Sequence, residues 1–375
     1  MVFVKSLLYP IVAFIWARIA LVEGTLKGGK TPFRCMLVGQ SSFNDDFKVR
    51  IYEGPPSEIR SWRVPILLLP YILSRQQYDL CVAVLPTFYD LLFRRLCKYK
   101  GQEEVRQVID TSASWEEVRK SFSKKKRQVT NNFAEKHGLS YRMTNDEKDF
   151  DHFYYRMHVP HIQRRYGQLA QVDSYSTMKG YFEKGLLLFV IREDIPVAGA
   201  LSLIEGKTLV FRRSGVLDGD EANVKGGAQT ALYYFQIKYA VDNKFDAVDT
   251  MKSAPFLNDG VFRHKAEWGA MTLPDHEATR TIYFFTRADA GTLAQLFAAH
   301  PLIVHKESGL MALLGDSVAP DLASTQSGRV FAQQFHMPGL SKAVVHTRGG
   351  ASEIALRNSA DFATEIDSAA SAVSA

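Results

Sequence analysis

One unbroken pattern between Leu186 and Ala270 limits what this chain can fold into: strand, hairpin, strand, glycine loop, helix, strand. Leu186–Ile191 is an apolar, β-rich run, and the polar turn Arg192–Pro196 leads into Val197–Ile204, so two neighbouring strands are expected. After a second turn at Glu205–Lys207, Thr208–Val216 alternates apolar and polar residues as a third strand, and a meander is the simplest way to join the three. The loop Leu217–Gly227 then feeds Ala228–Val241, whose few polar positions leave most of the cylinder apolar. That predicts a largely buried helix, ended by Asp242 and Asn243. Phe245–Met251 returns as a short buried strand, closing a unit of strand, helix and parallel strand.

The glycine loop is where chemistry is expected. Asn223–Ala228 puts Lys225, Gly226 and Gly227 where a strand gives way to a helix. The first helical turn has unpaired backbone N–H groups and a positive dipole end, and glycines let a bulky anion come close to the backbone. Such an end favours a phosphate by roughly 0.3 to 2 kcal/mol, so a ligand held there needs further contacts. A Gly-Gly pair alone also fits a plain loop. Its setting sharpens the reading: three meander strands precede it, and Phe262–Gly269 follows the next strand.

In this setting the residues resemble the GNAT superfamily of CoA-dependent N-acyltransferases. The acyl-CoA loop of that family reads Gln or Arg, x, x, Gly, x, Gly or Ala, and Asn223-x-x-Gly226-x-Ala228 is similar, with Asn in the first place. More narrowly, Phe245-Asp246-x-x-Asp249 followed by Phe262-Arg263-x-Lys265-x-x-x-Gly269 resembles the Fem-like branch. That branch includes peptidoglycan-bridge aminoacyltransferases and acetyltransferases found near polysaccharide-biosynthesis genes. The similarity runs from Trp115 to Arg287.

The resemblance implies an α/β GNAT fold, a mixed central sheet flanked by helices, with a degenerate second GNAT-like unit beside it. It implies acyl-CoA, acetyl-CoA in the simplest case, as co-substrate. In GNAT folds the strand matching Arg212–Val216 splays from the one matching Asp246–Met251, and the acyl chain lies in the gap with its oxyanion near the amides of Ser214 to Val216. The implied CoA contacts are therefore Ser214, Val216, Asn223, Lys225, Gly226, Gly227 and Ala228. The segment before the first core strand lines the acceptor pocket in that family, which nominates His161, Arg165 and Tyr166; by themselves these residues could equally just fix their loop. Lys265 takes the place of a lysine used near the reacting carbonyl or the phosphates, whereas its sequence alone reads as a surface lysine on a short helix.

The reaction is attack of an amine on a thioester carbonyl, with an oxyanion to be held and a thiolate to be protonated or solvated. Asp249 stands at a strand end and faces the gap if Val248 faces the core; as a base it needs burial to raise its pKa. The alternative is a strand-end aspartate bonded to the N–H groups of the next loop. Glu267 is a further base candidate. The tyrosine that many GNAT enzymes use as the thiolate's acid is missing from Ser253–Gly269, where His264 is the nearest substitute.

At 375 residues and 46% hydrophobic content the chain exceeds one ordinary domain and can build sizeable cores. Four segments are expected: an apolar N-terminal helix over residues 1–24, a degenerate GNAT-like unit over 25–114, the acyltransferase domain over 115–315, and a C-terminal extension over 316–375. The Ser/Ala-rich stretch Ser359–Ala375 reads as a disordered tail, and Phe331–Val345 could dock on the core. Leu7–Val22 fits a helix packed on the protein, an interfacial or anchoring helix, or a signal sequence; Pro10 and Arg18 interrupt it. Within the first unit Cys35–Val38 and Lys48–Tyr52 look strand-like and Asp79–Lys100 helical.

Trp115–His137 reads as one helix from the spacing of Val118, Phe122, Val129 and Phe133, and its other face carries Arg119, Lys120, Lys124, Lys125, Lys126 and Arg127. That face is either solvated or a site for RNA, acidic glycan or anionic lipid. Asp149–Met157 continues as a second helix, interrupted at Pro160; Thr281–Thr286 closes the sheet, and Ala288–Ala299 is helical. His158 and His161 lie near His137 and His152 in sequence, but Pro160 intervenes and no carboxylate or cysteine falls at ligand spacing, so no metal is assigned. The net charge of +6 favours anionic partners: CoA, nucleic acid or a membrane surface. Three unpatterned cysteines point to a reducing cytoplasm.

Together these features predict an N-acyltransferase carrying an acyl group from acyl-CoA to a small acceptor with an amine, on a sugar, amino acid or cell-envelope precursor. Two alternatives stand beside it. A Fem-type transferase using aminoacyl-tRNA suits the basic helix but not the CoA-type loop, and an inactive GNAT-like scaffold at a membrane suits Leu7–Val22 and the missing tyrosine.

Overall fold

The computed structural model describes residues 15–30, 32–131, 138–167, 170–306, 309–315, 338–340 and 342–356. The described residues form two compact units: those of 106–252 with 264–272 form one, and those of 15–105, 253–263 and 273–356 form the other. The second unit thus begins at 106 rather than 115, and the C-terminal strands belong with the first.

The chain enters the first unit through β1 (Trp16–Thr25), β2 (Pro32–Val38), β3 (Ser57–Pro65), β4 (Leu80–Pro86) and β5 (Tyr99–Gly101), with helix α1 (Ser42–Ile51) after β2, α2 (Leu69–Arg75) after β3 and the single turn α3 (Asp90–Phe93) after β4. Three expectations are corrected here. The apolar stretch ending at Val22 is a strand from Trp16 onward, with residues 7–14 outside the described set; Ala17, Ile19 and Val22 point inward while Arg18 takes an outward position and its Nε donates to Ser61 Oγ at 3.0 Å. Arg18 therefore interrupts nothing, because a strand alternates faces. Lys48–Ile51 is helical, since the Ser41 hydroxyl caps α1 by accepting from the Asn44 N–H. Asp79–Lys100 is a buried strand followed by short turns, not a helix.

The second unit adds β6 (Val105–Asp110), α4 (Trp115–Lys120), α5 (Lys124–Thr130), β7 (Leu139–Thr144), α6 (the successive helical stretches Glu147–His152, Phe153–His158 and Val159–Tyr166), α7 (Tyr175–Glu183), β8 (Gly185–Arg192), β9 (Ile195–Glu205), β10 (Thr208–Val216), α8 (Glu221–Lys225), α9 (Ala228–Asp242), β11 (Ala247–Ser253), the residues from His264 on of α10 (Gly260–Ala266), and β12 (Met271–Leu273). Its seven strands run in the order β12, β6, β11, β10, β9, β8, β7. β7 through β10 form an antiparallel meander, and β11 joins β10 in parallel after the crossover through α9. This is the mixed α/β architecture, a mixed sheet flanked by helices, that the resemblance implies, with β7 as a fourth meander strand.

Along β8 the side chains alternate between two helical layers: Leu188 and Val190 pack with Ala231, Leu232 and Phe235 of α9, while Leu187 and Phe189 pack with Phe150, Phe153 and Phe182 of α6 and α7. Both faces are covered, which is why the strand reads as one apolar run.

Trp115–His137 is not one helix. A capping box at Ser114 starts α4, Ser123 caps α5, and 132–137 lie outside the described residues. Nor does Pro160 break α6. Residues Phe153–His158 wind as a π-helix, and Pro160 then falls in the first turn of the next α-helical stretch, where a missing N–H costs little. The backbone of this π segment lies on the sheet through glycine: a Cβ at Gly215 would sit 2.5 Å from the Met157 carbonyl carbon.

The chain then completes the first unit with β13 (Arg280–Thr286), α11 (Ala290–Ala299), β14 (Leu302–Lys306), β15 (Gly309–Gly315), β16 (Lys342–Thr347) and β17 (Gly350–Ala355). Its ten-stranded mixed sheet runs β17, β16, β15, β14, β5, β13, β4, β2, β1, β3. Thr281–Thr286 is therefore a strand of this sheet, paired with β4 and β5, rather than the closing strand of the other. Ile282 and Phe284 face a core with Phe43, Phe47 and Phe297, and Tyr283 and Phe285 face another with Phe93 and Cys81. The helix expected at Ala288–Ala299 is α11; residues 331–337 and the tail from Ser359 lie outside the described set. Among the described residues no helix is long and apolar enough to cross a membrane.

Candidate functional site

β10 and β11 pair over only three positions, Thr208 with Ala247, Leu209 with Val248 and Val210 with Asp249. Beyond them β10 continues to Val216 on the β9 side alone, after a register shift between Phe211 and Arg213. The extra residue bends the strand away from β11. The parting expected of Arg212–Val216 is thus present.

The far side of the gap is set by Met251, which holds a left-handed backbone conformation at φ 67°, a conformation that costs a non-glycine residue about 1–2 kcal/mol. Asp249 and Lys265 hold it there. Asp249 is buried; its Oδ1 accepts from the Met251 N–H at 2.7 Å, and its Oδ2 accepts from Arg106 Nε at 2.7 Å. Lys265, also buried, donates from Nζ to the carbonyls of Met251 at 3.2 Å and Lys252 at 2.9 Å. The structure brings these two candidates together around one kink, with Asp249 in its strand-end role. Lys265 is no surface lysine. Glu267 goes elsewhere, to an ion pair with Lys126 at 3.4 Å.

Of the basic residues on α5, Lys126 is the one turned inward. Its Nζ lies 5.0 Å above the Trp268 ring, and burial lowers its pKa while Glu267 partly restores it. Trp268, fully buried, stacks on Tyr233 at 5.9 Å and meets Phe122 edge-on at 5.2 Å. Tyr233 in turn touches Phe211 at 4.8 Å and His264 edge-on at 4.8 Å. Phe211 is the first residue of β10 beyond its pairs with β11, so Tyr233 and His264 meet beside the point where the two strands part. Burial, then the charges of Lys126, Arg165, Lys265 and Lys125, lowers His264 to a pKa of about 4, so its imidazole is neutral at pH 7. Burial raises the Tyr233 phenol, which stays protonated.

The glycine turn differs from the open loop expected. Asp220 caps the short helix α8, which carries Asn223 and Lys225; the Lys225 side chain is exposed and pairs with Glu221 at 3.3 Å. Gly226 and Gly227 follow, and Gly227 starts α9 at φ 86° without a side-chain cap; Ala228 is buried behind it. Arg192, at the end of β8, reaches this turn, donating to the Gly226 carbonyl at 2.8 Å and to Asn223 Oδ1 at 3.4 Å. A Cβ at Gly226 would lie 2.7 Å from Arg192 Nη2, so a larger residue there would push this guanidinium aside. Gly226 and Gly227 spend their N–H groups on the carbonyls of Ala222 and Val224, so the donors that suit a diphosphate are those of the first turn of α9, with the Arg192 guanidinium beside them.

On the outer part of β10, Val216 is buried and the Ser214 carbonyl accepts from His158 Nδ1 at 3.3 Å. His161, one turn along α6, meets Gln229 of α9 through its Nε2 at 3.0 Å, and burial lowers its pKa. It therefore borders the first turn of α9. Arg165 is exposed at the end of α6, where its charge acts on His161, Tyr233 and His264. Tyr166 ends α6, and its side chain is outside the described set. Tyr233, Gln229 and Arg192 are the site residues that sequence reading missed. The four-residue spacing of Gln229 and Tyr233 puts both on one face of α9 and is the signal that could have found them.

No family model matches the sequence, and no curated protein matches it. Solved structures similar to this chain include FemX (12% identity, 70% of this chain and 83% of that one, TM-score 0.39). L-PGS from Bacillus licheniformis is another (10%, 70% and 83%, 0.33). A third is a GCN5-related N-acetyltransferase from Kribbella flavida (11%, 83% and 76%, 0.26).

Proposed function

We propose that the second unit is an N-acyltransferase that moves an acyl group from acyl-CoA, acetyl-CoA in the simplest case, to an amine on a sugar, amino acid or cell-envelope precursor. The observation that carries this reading is the parting of β10 from β11 after three pairs, beside the uncapped Gly226–Gly227 turn that opens α9. A diphosphate on that turn, with Arg192 beside it, leaves a pantetheine arm to run along the gap. The freed edge of β10 offers backbone N–H groups to the thioester oxygen, fixed donors aimed at developing charge.

In this mechanism the acceptor arrives as a free amine and attacks the carbonyl carbon, so a C–N bond forms and the oxyanion rests on amides between Ser214 and Val216. Neutral His264 takes the proton that the nitrogen sheds. The C–S bond then breaks, and Tyr233 gives its phenolic proton to the leaving thiolate; solvent restores both groups. Asp249 and Lys265 are positioning residues that hold the Met251 kink and with it the width of the gap, and His161 with Arg165 borders the acceptor side.

Labelled acetyl-CoA offered with a panel of aminosugars and amino acids, followed by mass spectrometry, tests the reading. Tyr233→Phe is expected to slow turnover about 100-fold, the range of a lost proton donor, while acetyl-CoA affinity stays within a factor of two. No labelled product with any amine, or full activity in the variant, would contradict it.

A further inference from the structure

We infer that the α4–α5 hairpin holds a second anion site, one built for the phosphate groups of a small ligand and independent of the α9 turn. A pocket of about 310 Å³ lies there, lined by Glu116, Arg119, Lys120, Lys124, Arg127, Gln128 and Asn131. Four cations face one carboxylate. The basic run from Arg119 to Arg127 is not a uniform solvated face, because Lys126 turns into the core over Trp268 while Arg119, Lys120, Lys124 and Arg127 surround this hollow.

The wall is fixed rather than loose. Arg127 Nη1 donates to the carbonyls of Lys120 at 2.8 Å and Phe122 at 2.9 Å, tying the turn between the helices, and Arg119 Nη2 donates to Asn131 Oδ1. The Arg119 Nε–H is buried without a hydrogen-bond partner among the described residues. A buried donor left unmade costs about 1–3 kcal/mol, which Arg119 recovers if its side chain turns into the hollow to meet an acceptor there. A phosphate oxygen is the acceptor that matches both the guanidinium fork and the surrounding lysines.

Size and lining narrow the ligand. The volume is at the lower end of small-molecule sites, about 300–1,000 Å³. Among the described residues no aromatic ring lines it, which favours phosphate groups over stacked bases. One or two phosphate groups, on a soluble compound or on a lipid headgroup, fit the chemistry.

Calorimetry of the full chain with inorganic pyrophosphate at low ionic strength, and flotation with phosphatidylcholine vesicles containing phosphatidic acid, test this. The variants are K120Q/K124Q, at two exposed lysines, and R119K, which keeps the charge but removes the Nε donor; K207Q is the control. Pyrophosphate binding weakened at least tenfold in both variants and unchanged in the control supports a soluble ligand. Vesicle binding alone, lost in the same variants, supports a lipid-borne phosphate. Binding to neither, equal loss in K207Q, or binding that survives in both variants but vanishes in G227E overturns the proposal, the last by placing the anion at α9.

Discussion

Thermal stability is expected to fall steeply as the pH drops from 6.5 to 4. His264, His300, His305 and His346 are each held near pKa 4, in every case mainly by burial, against an ordinary value of 6.5. In this window the unfolded chain binds protons that the folded one refuses, so acid favours unfolding, and the stability present above pH 6.5 is lost as the pH drops. Each such histidine adds to the loss once the unfolded form is protonated, and a typical folding free energy is only about 5–15 kcal/mol. Burial lowers His158 and His161 in the same direction. Native carboxylates act with them at still lower pH: Glu353, held near 2 by Lys306 and Lys342, is the strongest case. Melting curves at pH 7.5, 6, 5 and 4.5 check this, and a midpoint unchanged from pH 7.5 to 4.5 would contradict it.

Trp268→Ala is expected to cost about 3–5 kcal/mol, the usual range for emptying a fully buried indole. The loss is compound. Trp268 carries the Tyr233 ring on one face, Phe122 against its edge and the Lys126 ammonium above it. Removing it leaves a buried cation over a void and frees Tyr233 from its stack, so activity should fall along with stability. Trp268→Phe should cost far less, because the indole N–H is already buried without a partner among the described residues and nothing bonded is lost. Urea unfolding of both variants separates the cases; an alanine variant within 1 kcal/mol of the parent would show that this stack does not support the site.

Most of the second unit's core was legible because its signals are local. β8, β9 and β10 announce themselves by apolar runs broken at polar turns, α9 by a long cylinder with few polar positions, and β11 by returning after it. Gly226 and Gly227 could be read for the same reason: a helix start without a capping side chain is written in adjacent residues.

What escaped depends on partners far apart in sequence. Trp16–Thr25 resembles a helix by hydropathy alone, and only its pairing with β2 and β3 turns the run into a strand with Arg18 outside. Pro160 looks like a stop until the π-helical stretch shifts the register ahead of it. Thr281–Thr286 has the composition of a core strand, but nothing in that composition says which sheet it joins. The site shows the same division. Asp249 and Lys265 were named as candidates by position, yet their shared contacts with Met251 need the left-handed kink, and Tyr233 comes to His264 from a helix thirty-one positions upstream in the numbering.

The central claim is that the amides opening α9 seat the diphosphate of CoA. Titrating the protein with acetyl-CoA in a calorimeter, for the parent and for Gly227→Glu, tests it most directly, since the substitution puts a carboxylate at φ 86° on the turn itself. The account predicts binding by the parent and at least a hundredfold weaker binding by a variant that still melts cooperatively. A parent that binds no acetyl-CoA, or a folded variant that binds it as tightly as the parent, would contradict it.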